Sequence, residues 1–261
     1  MSRILSLPPD AISQIHSSKH ITSLQGVVLA LLENSLDAGA TKVDITVDFH
    51  RADCIVEDNG CGIPPAEFVE DGGLGRMYHT SKRGEGGELH GSTGTYLASL
   101  AALSLLAVNS HHARHEEHAT LTMHRGKVVA RQVPAASGHD LILSDLQGTR
   151  VTVRDLFGNM PVRVKQRALV GKIGTQDERA WQELKRGVVA LLLAWPKPCA
   201  VKLRDAHANN KLANLSSSHP SASAALTERS LNNLRGAKAK FDLRDALPLV
   251  CLLYTSPSPR D

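Results

Sequence analysis

The sequence predicts an α/β fold, and two kinds of apolar periodicity carry that prediction. Residues 24–32 repeat apolar side chains at the spacing of one buried helix face, a stripe made of Leu24, Val27, Val28, Leu31 and Leu32. Residues 43–49 instead alternate apolar and polar side chains, which is the period of a half-buried strand. The apolar run 54–56 predicts a second strand after a short turn. We therefore expect a helix followed by two strands.

Polar side chains gather at the end of the predicted helix. Glu33, Asn34 and Asp37 project together on the side opposite the apolar stripe, because each residue turns the helix by about 100°. A solvated polar face would give the same pattern. The acidic glycine turn that follows the second strand favours a functional interpretation, since the two elements together are typical of one ATPase architecture.

That turn, Asp58-Asn59-Gly60-Cys61-Gly62, follows the second strand directly. A carboxylate at Asp58 could accept a hydrogen bond from the exocyclic amine of adenine, and guanine offers an oxygen at that position. Gly60 and Gly62 would let the backbone approach a flat base closely. An ordinary Asp-Asn-Gly turn is the alternative, and the spacing from Glu33 favours the adenine site.

A glycine-rich segment over residues 72–94 precedes a third apolar pattern. Leu97, Leu100 and Leu103 share a face of a helix that we expect to start near Thr95. Because backbone amides at a helix N-terminus attract anions, residues 91–95 are candidates to hold phosphates, and Lys82 could add a positive charge. A disordered loop is the alternative. No Gly-x-x-x-x-Gly-Lys-Ser/Thr element occurs, which excludes a P-loop.

These segments resemble the N-terminal ATPase region of MutL-type DNA mismatch repair proteins, within the gyrase, Hsp90, histidine kinase and MutL (GHKL) superfamily. The first two motifs are shared across the superfamily. Two segments point to MutL itself, Thr80-Ser81-Lys82 and the run G-T-R-V-T-V-R-D-L-F-G-N-M-P-V-R over residues 148–163. The opening residues 4–9 also resemble the family, and the resemblance covers roughly residues 3–236.

The resemblance implies a GHKL (Bergerat) fold, a two-layer sandwich of a mixed β-sheet with helices on one face and ATP between the layers. It implies ATP and Mg²⁺ as cofactors, with Glu33 as the general base, Asn34 as the Mg²⁺ ligand and Asp58 as the adenine reader. The other nucleotide-binding positions that it implies are Asp37, Ala38, Gly60, Gly62, Thr80, Ser81, Lys82, Gly91, Thr93, Gly94, Thr95, Tyr96, Leu97 and Thr149.

Two departures from the family pattern indicate a branch. Thr93-Gly94-Thr95 stands where MutL proteins usually carry Arg-Gly-Glu, and Ser18-Lys19-His20-Ile21 replaces the usual Gly-Glu-Val. Together with residues 96–100, these departures resemble the fungal branch of MutL homologue 3. That resemblance implies a heterodimer with a MutL homologue 1 type subunit, a nuclear location, and roles in meiotic recombination and mismatch repair.

Length and composition fit part of a larger protein. We expect an ATPase domain over residues 1–215, a linker and short helix over 216–236, and the start of a truncated ribosomal S5-like domain over 237–261. Residues from Cys251 onward no longer resemble the family and look like translated adapter sequence. We expect no endonuclease region in this chain. The four cysteines show no metal spacing and predict reduced thiols, and no signal peptide or membrane-spanning run occurs.

The net charge of +4 is mild, but its distribution is uneven. One basic cluster, set against the single acid Asp155, consists of Arg150, Arg154, Arg163, Lys165, Arg167 and Lys172. It could contact DNA phosphates, or it could be a solvated basic face. A second cluster, residues 111–118, is rich in histidine but lacks the His-Glu-x-x-His spacing, and it predicts a polar hairpin loop.

Three functions stay open on the sequence. The first is a MutL-type ATPase that couples nucleotide state to N-terminal association and DNA processing. The second is another GHKL ATPase, gyrase-like or Hsp90-like, against which residues 80–82 and 154–157 argue. The third is a nucleotide-gated binding module with negligible hydrolysis, which the altered third motif and the missing second domain leave possible.

Overall fold

The structure is a computed structural model that describes residues 6, 8–80, 94–135, 147–170, 175–207 and 212–217. All of these residues belong to one compact unit, Met1–Ser218. The helices are α1 (Pro9–His20), α2 (Leu24–Asp37), α3 (Tyr96–Leu103), α4 (Pro161–Val170) and α5 (Thr175–Ala194). The strands are β1 (Lys42–Asp48), β2 (Asp53–Asp58), β3 (Leu105–His111), β4 (His118–His124), β5 (Lys127–Gln132), β6 (Gly148–Arg154), β7 (Cys199–Asp205) and β8 (Leu212–Ser217).

The eight strands form one mixed sheet in the order β5-β4-β3-β6-β2-β1-β7-β8. Only β1 and β7 run parallel, and every other neighbouring pair is antiparallel. Helices α2 and α3 pack on the sheet, and α2 also packs against α5. The α/β prediction of a mixed sheet with a helical layer is therefore confirmed.

The core lies between the sheet and its helical layer. The predicted stripe of α2, from Leu24 to Leu32, is buried as expected. It meets inward-facing strand residues such as Val43, Ile45 and Val56, each 0–1% exposed. A serine at the N-cap, Ser23, fixes the start of α2 by accepting a hydrogen bond from the Gly26 amide at 3.1 Å.

Two local predictions are wrong. The run Leu191-Leu192-Leu193 predicts a core segment, but Leu193 is 76% exposed, because α5 turns Leu192 inward, packs Leu191 partly against the core and directs Leu193 outward. Ser216 and Ser217, expected to open a linker, lie in β8, where backbone pairing with β7 holds them. The remaining domain boundaries, including the S5-like start over residues 237–261, lie outside the described residues and stay predictions.

Candidate functional site

The last turns of α2 present the predicted catalytic residues. Glu33, Asn34 and Asp37 are half-buried, whereas their neighbours Ser35 and Leu36 are buried. The helix ends at Asp37, and the Ala38 carbonyl accepts a hydrogen bond from the Cys61 amide at 3.0 Å. The polar end of α2 is thereby attached to the turn after β2, which is the juxtaposition that the sequence predicted.

Asp58 is the most constrained side chain of the site. It is 5% exposed, and the Ser35 hydroxyl donates to its Oδ2 at 2.8 Å while the Gly60 amide donates to its Oδ1 at 2.9 Å. Burial raises the pKa of Asp58, and hydrogen bonds from the Gly60 amide, the Ser35 hydroxyl and the Thr149 amide act in the opposite direction. These donors hold the carboxylate in one orientation.

The two glycines of the turn are required by close approach. At Gly62, φ is +73°, and a Cβ atom would come within 2.1 Å of the His111 carbonyl oxygen. At Gly60, a Cβ atom would come within 2.8 Å of the Ala38 Cβ and 2.9 Å of Asp58 Oδ1. Residues with side chains would therefore displace the turn from α2 and from the end of β3.

A second layer of hydroxyl groups supports this turn. The Ser110 hydroxyl accepts from the Ile63 amide at 2.8 Å, donates to the Gly148 carbonyl at 2.9 Å and lies 3.0 Å from the Thr149 hydroxyl. Thr149, which the resemblance placed in the base pocket, pairs with Asp58 across β6 and β2. Its position beside Asp58 is thus fixed by strand register.

Sequence reasoning missed Ser35 and Ser110. Each had a signal, because each is a hydroxyl at an inward position of an otherwise apolar pattern. Ser35 follows Leu31 by one helical turn, and Ser110 continues the alternation of Leu106 and Val108. A buried hydroxyl in such a position needs a hydrogen-bond partner, and here the partners belong to the Asp58 network.

Helix α3 completes the described part of the site. Thr95 is its N-cap residue, and Gly94 has a φ of +62° with its backbone against that of His79. This contact holds the segment that ends at Thr80 close to the start of α3, and the phosphate-binding role of Thr80 stays a prediction. Tyr96 and Leu97 are half-buried in the first turn. Burial raises the pKa of Tyr96, and electrostatic interaction with Cys54 and Glu33 adds to the increase.

Four predicted phosphate-binding residues, Ser81, Lys82, Gly91 and Thr93, lie outside the described residues. Across the described ranges, no group of three or more His, Cys, Asp and Glu side chains is placed to hold a metal ion. Magnesium in nucleotide sites is usually held by one or two protein oxygens, phosphate oxygens and water. The amide oxygen of Asn34 at the polar end of α2 fits such a site.

Comparison with known proteins agrees with this geometry. Residues 21–149 match the family described as histidine kinase-, DNA gyrase B- and HSP90-like ATPase. Mismatch repair endonuclease PMS2 of Homo sapiens is 36% identical over 163 residues, which are 60% of this chain and 18% of that protein. DNA mismatch repair protein MutL of Leptospira biflexa is 34% identical over 172 residues, 63% of this chain and 26% of that protein.

This chain has the GHKL ATPase fold, and its sequence is similar to MutL-type mismatch repair proteins. The aligned region spans about a fifth to a quarter of these two relatives. A crystal structure of the N-terminal domain of a DNA repair protein has the same fold, with a TM-score of 0.55 and 20% identity over 82% of this chain and 59% of that chain. The residues 21–149 that match the family model include Glu33, Asn34, Asp58 and Thr149.

The described members of the basic cluster do not form one surface. Arg163 donates to the Thr22 carbonyl at 3.0 Å and stacks on the Phe157 ring at 4.2 Å, so it joins α4 to the start of α2. Arg150 and Arg154 instead line a groove of about 420 Å³ on β6. The side chain of Arg167 and all of Lys172 lie outside the described residues.

The histidine-rich segment is a hairpin connection, as predicted. His111 ends β3, His118 begins β4, and their rings stack with centroids 4.2 Å apart. The loop between them is tied to the Asp58 turn, because the Ala113 amide donates to the Cys61 carbonyl at 3.0 Å. Among the described helices, none is both long enough and apolar enough to traverse a lipid bilayer.

Proposed function

We propose that this chain binds and hydrolyses Mg-ATP as the nucleotide-dependent domain of a protein of DNA mismatch repair and meiotic recombination. The observation that carries the proposal is the buried Asp58 carboxylate, which Ser35 of α2 and the Gly60 amide hold beside the helix that bears Glu33. A carboxylate so oriented is suited to accept a hydrogen bond from the adenine amine.

In the proposed mechanism, Glu33 accepts a proton from the water that attacks the γ-phosphoryl group. Asn34 supplies an oxygen to Mg²⁺, which when bound neutralises charge on the phosphates. Phosphoryl transfer depends mainly on positioning and electrostatic stabilisation. The role of this chain is therefore to fix the base through Asp58, to orient water through Glu33, and to present backbone amides near Gly94 and Thr95.

We expect Asn34→Ala to lose the Mg²⁺-dependent part of ATP binding, because the amide oxygen is the proposed protein ligand to the ion. Calorimetric titrations of ATP with Mg²⁺ and with EDTA measure that part. Asn214→Ala, in β8, is the matched control and should retain it. If ATP binding by Asn34→Ala depends on Mg²⁺ as strongly as binding by the wild type does, Asn34 is not the ligand to the ion.

We expect ATP affinity to fall on acidification. Because burial raises the pKa of Asp58, the loss should begin at a pH above 3.8, the usual pKa of an aspartate. The sign follows from the proposed bond: the ionised carboxylate accepts from the adenine amine, and protonation replaces an acceptor with a donor. Affinity is thus present above the raised pKa and lost as pH falls through it. Titrations of ATP, 2′-deoxyATP and GTP at a series of acidic pH values measure the effect. Only pH values at which circular dichroism shows a folded chain are used. A flat profile for ATP would contradict it.

DNA binding is a further part of the proposal. Arg150 and Arg154 line the groove on the sheet face turned away from the inward residues Val56 and Val153. Arg150 is paired with the buried Glu57 at 3.7 Å, so Arg154 is the better residue to replace. We expect Arg154→Glu to weaken duplex binding. The slope of log binding constant against log salt concentration should fall in magnitude by about 1, as for one lost phosphate contact. Arg179→Glu on α5 is the control, and an equal loss there would refute the site.

The finer parts of the proposal follow from the resemblance. We propose the branch of MutL homologue 3, on the basis of Thr93-Gly94-Thr95, a MutL homologue 1 type partner subunit, and a nuclear location. The altered third motif also supports a second candidate, a nucleotide-gated binding module. Single-turnover hydrolysis, alone and with a MutL homologue 1 subunit, separates the two. Turnover in either condition supports the ATPase, whereas binding without turnover in both supports the module.

A further inference from the structure

Among the described strands, β5 is an edge of the sheet and is paired with β4 alone. All six of its residues, Lys127–Gln132, are exposed. Two of them are large and apolar, since Val128 is 44% exposed and Val129 is 65% exposed. An exposed edge strand offers a row of backbone donors and acceptors to another chain, and native proteins usually cover or shorten such edges.

A cleft of about 290 Å³ lies beside this strand. Its apolar wall includes Leu74, Met77, Met123 and Val128, and Arg76 and Arg131 also line it. Thus one side of β5 adjoins a pocket that could receive an apolar side chain. Flexible methionines suit such a pocket because they adapt to ligands of different shape.

Positive charge surrounds the edge. Arg125, Lys127 and Arg131 lie on the β4–β5 hairpin, and the sequence has no Asp or Glu between residues 118 and 139. Among the described residues that line the cleft, none is acidic. Two copies of β5 paired with each other would therefore bring only like charges together, which is unfavourable. A strand that carries carboxylates would meet complementary charge.

We propose that β5 and its cleft bind an extended acidic segment of a partner protein by strand addition. The backbone of the segment would pair with β5, and an apolar side chain would enter the cleft beside Val128. Carboxylates on the opposite face of the segment would meet Lys127, while Arg131 adds positive charge on the cleft side. Backbone pairing gives affinity in this mode, and alternate side chains give specificity. This surface is separate from the proposed nucleotide site and does not depend on ATP hydrolysis.

Edge protection is the competing explanation for the same residues. Basic side chains and the register irregularity between Thr122 and Met123 are both devices that discourage aggregation at an edge. Protection alone, however, gives no reason for an apolar cleft against β5. The two explanations differ in whether a complementary strand binds.

The experiment uses the full chain and a fluorescein-labelled peptide of alternating valine and glutamate, as long as β5, in anisotropy titrations. We expect Lys127→Glu/Arg131→Glu to weaken binding about tenfold, because the change at Lys127 puts a negative charge beside the carboxylates of the peptide and the change at Arg131 replaces a nearby positive charge. Lys197→Glu/Lys202→Glu has the same change in charge at exposed positions away from β5 and should bind as the wild type does. Hydrogen exchange should slow at the amides of Val128 to Ala130 when the peptide is bound.

Two peptide controls need no change in the protein. A peptide with lysine in place of glutamate should not bind, and one with N-methylated backbone amides should not bind because it cannot pair with the strand. Absence of binding by the original peptide to a chain that is folded by circular dichroism would overturn the proposal. Equal weakening in both charge-reversed variants would also overturn it.

Two other occupants would be revealed by the same variants. If duplex DNA binds and protects the amides of β5 while the peptide does not, the edge belongs to a nucleic-acid surface and the proposal fails. If the wild type sediments as a dimer that Lys127→Glu/Arg131→Glu dissociates, a second copy covers the edge and the proposal also fails.

Discussion

Glu33→Gln should bind Mg-ATP with nearly wild-type affinity and lose hydrolysis by about 10²–10⁴-fold, the usual contribution of a positioned base. The substitution keeps the size and hydrogen-bonding shape of the side chain but removes its ability to take a proton. Glu33 lies in the last turns of α2 near Tyr96, whose raised pKa reflects its burial and the charge of Glu33. Loss of turnover without loss of binding identifies a chemical role.

The measurement is single-turnover hydrolysis with enzyme in excess, together with a nucleotide-binding titration of the same preparation. Glu183→Gln, at an exposed position of α5, is the matched control and should hydrolyse ATP at the wild-type rate. Glu33→Ala should behave as Glu33→Gln does. Unchanged hydrolysis in Glu33→Gln would refute the assignment, and it would do so whether or not a partner subunit is present.

Asp58→Asn is expected to reduce ATP affinity by about 10–100-fold, since a hydrogen bond to a charged group contributes about 1.5–3 kcal/mol. It should also narrow the preference for ATP over GTP, because an amide can donate to the oxygen of guanine. Asp48→Asn is a suitable control, because Asp48 is also buried at the end of a strand. There its Oδ1 accepts a hydrogen bond from the Arg51 amide at 2.9 Å. That variant should retain both affinity and preference.

The same substitution should not destabilise the folded chain without nucleotide at neutral pH. Burial raises the folded-state pKa of Asp58 above 3.8, so the native state binds a proton more readily than the unfolded state. Stability therefore falls as pH rises through this range, and the ionised carboxylate costs folding free energy at neutral pH. If Asp58→Asn unfolds at the same temperature as the wild type or at a higher one, and binds ATP more weakly, Asp58 serves binding rather than stability. Lower thermal stability and intact affinity would contradict both roles.

Local patterns predicted the elements that bear the site. The stripe from Leu24 to Leu32 defined α2, and the alternation from Val43 defined β1, because helical and strand periods are properties of neighbouring residues. Asp58 was predicted at the end of a strand for the same reason. The glycines of the turn were predicted to admit a flat base, and that stays a prediction; in the structure, close approach to Ala38 and His111 already requires them.

Contacts set by strand register were beyond such reasoning. Ser110 reaches Ile63 and Thr149 only because β3 and β6 are neighbours in the sheet, and the contact of Gly62 with His111 has the same origin. The division of the basic cluster could not be predicted either. Arg163 follows Arg154 closely in sequence, but its stacking on Phe157 directs it away from the groove that Arg154 lines.

A structure of the chain with Mg²⁺ and a non-hydrolysable ATP analogue tests the central claim most directly. The account predicts the adenine amine within hydrogen-bonding distance of the Asp58 carboxylate, Mg²⁺ bound to the Asn34 amide oxygen, and Glu33 beside the terminal phosphate. A nucleotide bound elsewhere on the sheet, or one whose base and terminal phosphate lie away from Asp58 and Glu33, would contradict it.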